Sequence, residues 1–296
     1  MPRAAVNGLE LEYDTFGSPS NPPLVLIMGL GAQMILWEDE FCEQLAASGF
    51  WVVRFDNRDI GLSTQLDDAG VPNVFVAIQS AMSGQPVEAP YTLAEMADDT
   101  VALMTALGIE RAHVVGASMG GMIAQTVAIR HPERLLSLTS IMSTTGDPTL
   151  PQATPEAMAA LLTPPPLDRE GNIARTLAAW KVIGSPGFPF DEPRMTALFG
   201  RAFDRGYNPG GVARQLTAIM ASGDRTSALH SVAVPTLVIH GDADPLIPPA
   251  AADATAKAVP GATLLMIEGM GHDFPVGTFT SRSAGVRSPD AMIAVS

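Results

Sequence analysis

Ser118 stands in Val114-Val115-Gly116-Ala117-Ser118-Met119-Gly120-Gly121, an apolar β-type run that passes through Gly-x-Ser-x-Gly into a helical pattern. A serine on such a strand-to-helix turn is lifted above the sheet, and the N-terminus of the following helix aims partial positive charge at a developing oxyanion. Gly116 and Gly120 flank it because a side chain at either position would meet the neighbouring strand or helix. The chemistry this spacing serves is acyl transfer to a serine nucleophile. It requires a histidine to take the proton and a carboxylate to hold the histidine, with the acid and then the histidine following the nucleophile along the chain.

Few residues meet that order. Of five histidines, His113 lies in the strand before Ser118, His131 caps the next helix, His230 falls near the end of a long insertion and His240 directly follows a strand. His272, in Ile267-Glu268-Gly269-Met270-Gly271-His272, follows the last strand on a Gly-rich loop able to carry an imidazole back over the turn. For the acid, Val238-Ile239-His240-Gly241-Asp242-Ala243-Asp244 offers two aspartates just past a buried strand. Asp244 is preferred, Asp242 reads as a turn-stabilising residue, and Asp147 remains a lesser alternative. Oxyanion donors are expected from the backbone N–H groups of Met119 and of Leu30, the latter between glycines in Met28-Gly29-Leu30-Gly31.

The elements that must position these groups are legible as buried runs at Leu24–Met28, Trp51–Phe55, Ala112–Val115, Leu135–Ile141, Thr236–Ile239 and Thr263–Ile267. Helical periodicity separates several of them, at Phe41–Ala47, Leu93–Leu107 and Met119–Ile129, and Asn7-Gly8 marks an opening hairpin. The alternation predicts an α/β fold with a mostly parallel, doubly wound sheet. Residues 1–145 and 234–296 read as the core, and 146–233, rich in proline and without a clear strand, as an inserted helical cap. Gln65–Pro90 reads as an irregular insertion.

Composition narrows the partners. With 296 residues, 47% of them hydrophobic and 16% charged, the chain can bury a sizeable core. A net charge of −14 disfavours nucleic acid and anionic lipid surfaces and points to neutral substrates. Cys42 is the single cysteine, so no internal disulfide or cysteine-based metal cluster can form, and no metal or cofactor is expected. The N-terminus has no apolar signal-type segment, and a cytoplasmic protein with no membrane contact is expected.

These motifs resemble the α/β-hydrolases, and among them the esterase branch that includes aclacinomycin methylesterase. The resemblance rests on Met28-Gly29, on Trp37-Glu38-Asp39-Glu40-Phe41, on Arg54-Phe55-Asp56-Asn57-Arg58-Asp59-Ile60-Gly61-Leu62-Ser63-Thr64, and on the Ser118 and His272 segments. Trp180-Lys181, Gly187-Phe188-Pro189-Phe190-Asp191 and Pro235-Thr236-Leu237-Val238-Ile239 extend it. It implies a serine esterase with Asp244 as the acid. Trp37, Trp180 and Phe188 are the expected substrate contacts, and a small neutral ester of short to medium chain is the expected partner. A perhydrolase or haloperoxidase, a carbon–carbon bond hydrolase and a non-catalytic receptor are the competing readings on the same fold. Serine rather than aspartate at the turn argues against dehalogenase and epoxide hydrolase chemistry. The chain departs from the branch at its end: from Pro275 to Ser296 there is no helical apolar period where the family has an amphipathic helix, which points to reduced stability or a homodimer.

Overall fold

The computed structural model describes residues 1–164 and 166–275. Among them eight strands form one sheet: β1 (Arg3–Val6), β2 (Leu9–Phe16), β3 (Pro23–Ile27), β4 (Trp51–Phe55), β5 (Ala112–Ala117), β6 (Leu135–Ile141), β7 (Thr236–Gly241) and β8 (Thr263–Ile267). Their order is β1-β2-β4-β3-β5-β6-β7-β8. The first two are antiparallel to their neighbours and the rest are parallel. Asn7 and Gly8 both take positive φ, 47° and 80°, as a two-residue hairpin turn demands.

The helices are α1 (Asp39–Ala47), α2 (Val74–Met82), α3 (Leu93–Ala106), α4 (Met119–Arg130), α5 (Pro155–Leu162), α6 (Arg169–Ile183), α7 (Glu192–Arg205), α8 (Pro209–Ser222), α9 (Thr226–Leu229) and α10 (Ala250–Ala258). Alternate residues of the central strands feed two separate cores. Val25, Ile27, Val53 and Val114 pack with α3 and α4 on one face, while Leu24, Leu26, Val52 and Val115 pack with Trp37, Cys42 and Leu45 on the other. Burial on both faces is why these strands read as continuous apolar runs.

Helices α5 to α9 fall between β6 and β7, inside the stretch read as an insertion. One correction concerns Gln65–Pro90, expected to be irregular, which contains α2. Asn73 caps that helix, its side chain accepting the N–H groups of Phe75 and Val76, but Val-Phe-Val-Ala-Ile-Gln-Ser-Ala-Met has no polar face and buries only Ala77, so no helical period betrays it. No described helix is long and apolar enough to cross a membrane. The stretch after Pro275, on which the homodimer expectation rests, lies outside the described residues.

Candidate active site

Strand β5 delivers Ser118 at its end and α4 begins at the next residue. Ser118 has φ 55° and ψ −120°, a backbone region costly for a non-glycine residue and typical of functional turns. The turn is pinned by Ser118 N–H donating to the Ile141 carbonyl at 2.9 Å and by Ser143 Oγ donating to the Ser118 carbonyl at 2.8 Å. A Cβ on Gly116 would collide with the Gly120 main chain, and one on Gly120 with the Ile27 carbonyl. Both glycines of the motif are therefore steric necessities.

The loop after β8 returns His272 to this turn. His272 Nε2 lies 2.9 Å from Ser118 Oγ, and Nδ1 lies 2.7 Å from Asp244 Oδ2. A carboxylate can only accept, so the proton sits on Nδ1 and Nε2 is left to accept from the hydroxyl. Asp244 and His272 are buried, with 3% and 7% exposure. The second oxygen of Asp244 accepts the N–H groups of Leu246 and Ile247, each at 2.9 Å, so the carboxylate also holds its own loop. Asp242 instead accepts from the N–H of Gly269 at 2.7 Å, bracing the base of the histidine loop rather than its own turn. Asp147 Oδ1 is taken by Thr149 and joins neither group.

Fully buried His240 lies within β7, where its Nε2–H donates to the Ile247 carbonyl at 2.7 Å. Burial depresses its pKa, against the raising influence of that bond and of Asp244. It is thus a neutral strut behind the Asp244 loop.

The histidine loop is docked on the inserted segment. His272 N–H donates to the Ile183 carbonyl at 2.7 Å and Gly187 N–H to the Gly269 carbonyl at 2.9 Å. Gly271 N–H donates to Ser185 Oγ at 2.9 Å, and Ser185 Oγ in turn donates to Asp273. Burial raises the pKa of Asp273, although Ser185 and His272 oppose the shift. Sequence reasoning missed Ser185 and Asp273, since the bond that pairs them spans 88 residues.

Opposite His272 runs the Met28–Gly31 loop. A Cβ on Gly29 would stand 3.1 Å from Ser118 Cβ, which brings this main chain against the serine. Asn57 Nδ2 donates to the Met28 carbonyl and Gly31 N–H donates to Gln215 Oε1, both at 3.0 Å, fixing the loop from the turn after β4 and from α8. Met119 opens α4, so its N–H has no acceptor within the helix. Its side chain is buried in the core, whereas Leu30 faces a cavity.

That cavity has a volume of about 760 Å³ and is lined by Ser118, His272, the Leu30 loop, the start of α2, and α5 to α8. Trp180 lines it, together with Phe199, Phe203 and Tyr207. Trp37 and Phe188 do not. Trp37 is 1% exposed, stacked on Phe41 at 5.7 Å and tilted against Phe274 at 4.8 Å. Phe188 packs on the same core from the turn after α6. Expected as substrate contacts, Trp37 and Phe188 are placed by the structure in the layer beneath the histidine loop, beside Met270 and Phe274.

A serine, a histidine and a carboxylate in line at the end of a parallel sheet, facing a lined cavity, is an acyl-transfer geometry. Residues 22–183 match the family model described as alpha/beta hydrolase fold, and residues 218–284 match one described as TAP-like protein. The chain belongs to the α/β-hydrolase fold family. Rhodomycin D methylesterases of Streptomyces sp. (strain C5) and Streptomyces peucetius are 31% and 30% identical to it, each over 91% of both chains. The crystal structure of the enol-lactonase from Burkholderia xenovorans LB400 superposes with a TM-score of 0.67 at 27% identity, over 92% of each chain. This α/β-hydrolase is an ester hydrolase of the serine type.

Proposed function

We propose that the protein hydrolyses carboxylic esters through an acyl-enzyme on Ser118, with His272 as general base and acid and Asp244 as its orienting carboxylate. The observation that carries this reading is the unbroken line from Ser118 Oγ through His272 to Asp244, opening on the cavity. As Ser118 Oγ attacks the ester carbonyl, its proton passes to His272 Nε2, and Asp244 stabilises the imidazolium. The carbonyl oxygen becomes an oxyanion held by the N–H groups of Leu30 and Met119. Collapse expels the alcohol, which takes the proton from His272. Water, deprotonated by the same nitrogen, then releases the acid and restores Ser118.

Helices α5 to α8 serve as the cap that limits water around these steps. The cavity lies in the range that holds drug-sized ligands, which extends the expected substrates from short or medium chains to bulkier apolar acids. The two Streptomyces relatives, named as methylesterases, favour a small alcohol as leaving group. A panel of p-nitrophenyl esters of graded acyl size tests the reading beside Ser118→Ala. Loss of on the order of 10³-fold or more in kcat is expected for the variant, and near-normal turnover by it would refute the assignment.

A further inference from the structure

Helix α6 turns one stripe to the cavity: Asn172, Arg175, Thr176, Ala179, Trp180 and Ile183, at the spacing of one helix face. The lower end of the stripe is tied to the reaction centre, because the Ile183 carbonyl holds the main-chain N–H of His272. Arg175 lies a little over two turns earlier, about 12 Å along the axis at 1.5 Å per residue. Between them stands Trp180, tilted against Phe199 with ring centroids 5.3 Å apart.

Among the described residues, Arg175 is the one arginine or lysine that lines the cavity. Buried Arg54, Arg58 and Arg214 each pair with a carboxylate. Buried Arg225 has none, but Nε, Nη1 and Nη2 donate to Gln125, Gly223 and Thr144 respectively. Arg175 spends Nη2 on the carbonyls of Ala160, Leu161 and Thr163, at 2.9, 3.2 and 2.6 Å, at the end of α5. Its Nε is buried without a hydrogen-bond partner. Among the described residues no carboxylate forms an ion pair with it, and burial alone holds its pKa below the ordinary guanidinium range, with Tyr207 opposing. Three neutral carbonyls leave the positive charge of this half-buried guanidinium with no carboxylate to cancel it. Tyr207 and Asn172 line the same end, both donating to the Pro166 carbonyl, at 3.1 and 3.4 Å.

We propose that Arg175 binds a carboxylate on the substrate, at the end remote from the scissile ester. The preferred substrates are then half-esters: an ester over Ser118, an apolar middle along Trp180 and Phe199, and an anionic far end. The acidic surface of the whole molecule points to neutral substrates, and Arg175 reverses that preference inside the cavity. This deepens the esterase reading and rests on it.

The test compares mono-p-nitrophenyl esters of straight-chain dicarboxylic acids, over graded chain lengths, with the same esters ending in a neutral amide. The carboxylate-to-amide ratio of kcat/KM is expected to peak at the length that spans the stripe, at about tenfold or more, the scale of a charge-assisted hydrogen bond. Arg175→Gln, which keeps a donor for the α5 carbonyls, brings the ratio toward one, and Arg175→Lys retains part of it. A ratio that is flat with length in the wild type, or unchanged in Arg175→Gln, overturns the proposal. Should Arg175→Gln fail to fold, the wild-type length profile decides alone. Calorimetric binding of the same dicarboxylates and their monoamides to Ser118→Ala separates the two readings. Preference for the dicarboxylate without hydrolysis by the wild type would sink the esterase and keep the anion site, while hydrolysis without that preference would do the reverse.

Discussion

At the scale of single residues, the two aspartates after β7 divide the work. Asp244 uses one oxygen on His272 and the other on its own loop, whereas Asp242 braces Gly269. Asp244→Asn keeps the size of the group but can present N–H where His272 needs an acceptor, favouring the wrong tautomer. Its kcat is expected to fall by about 10³ to 10⁴, with folding intact by circular dichroism. Asp242→Asn retains an amide oxygen for Gly269 and is expected to stay close to wild type in steady-state assays. Equal loss in both variants would mean that Asp244 acts only on loop structure.

At the scale of elements, the cap segment after α6 and the histidine loop touch main chain to main chain. A Cβ on Gly187 would stand 2.7 Å from Gly269 Cα. Gly187→Ala must therefore push the loop that carries His272, and displacements of this kind cost reaction rate steeply. A fall in kcat of about tenfold or more is expected, with KM less affected; unchanged kcat would show that the loop finds its place without this contact. The parts of the molecule legible in sequence follow from the same physics. Strand β3 declares itself because burial on both faces demands an apolar run, the other central strands because theirs are mostly apolar, and Ser118 because crowding leaves only glycine two positions to either side of it. Helix α2 is hidden by its lack of a polar face, and the layer that Trp37 fills is not written in its residue type. Ser185, Asp273 and Arg175 matter through partners or a cavity that exist only after folding.

At the scale of the whole molecule, stability should carry the mark of two histidines withdrawn from water, buried His240 and half-buried His113. Burial depresses the pKa of both His113 and His240 below the usual 6.5. As pH falls through 6.5 the unfolded chain takes up protons that the folded chain refuses, so stability is full above that value and declines below it until the folded groups titrate. Asp59, held low by Arg214, Leu66 and Tyr91 despite its burial, loses its contribution only in the separate window below the usual carboxylate value of 3.8. The histidines lower the urea midpoint from neutral to mildly acid pH, while Asp56 and Asp273, raised by burial, act with the opposite sign; His240→Gln should therefore be less destabilised than the wild type by the same acidification, and an unchanged pH profile in that variant would refute it. The central claim, that one serine is made nucleophilic by the His272 and Asp244 line, is tested most directly by reacting the protein with a fluorophosphonate and mapping the adduct by mass spectrometry. The account predicts one adduct per chain, on the peptide containing Ser118, lost in Ser118→Ala and strongly slowed in His272→Ala. An adduct at another residue, or labelling as fast without His272, would contradict it.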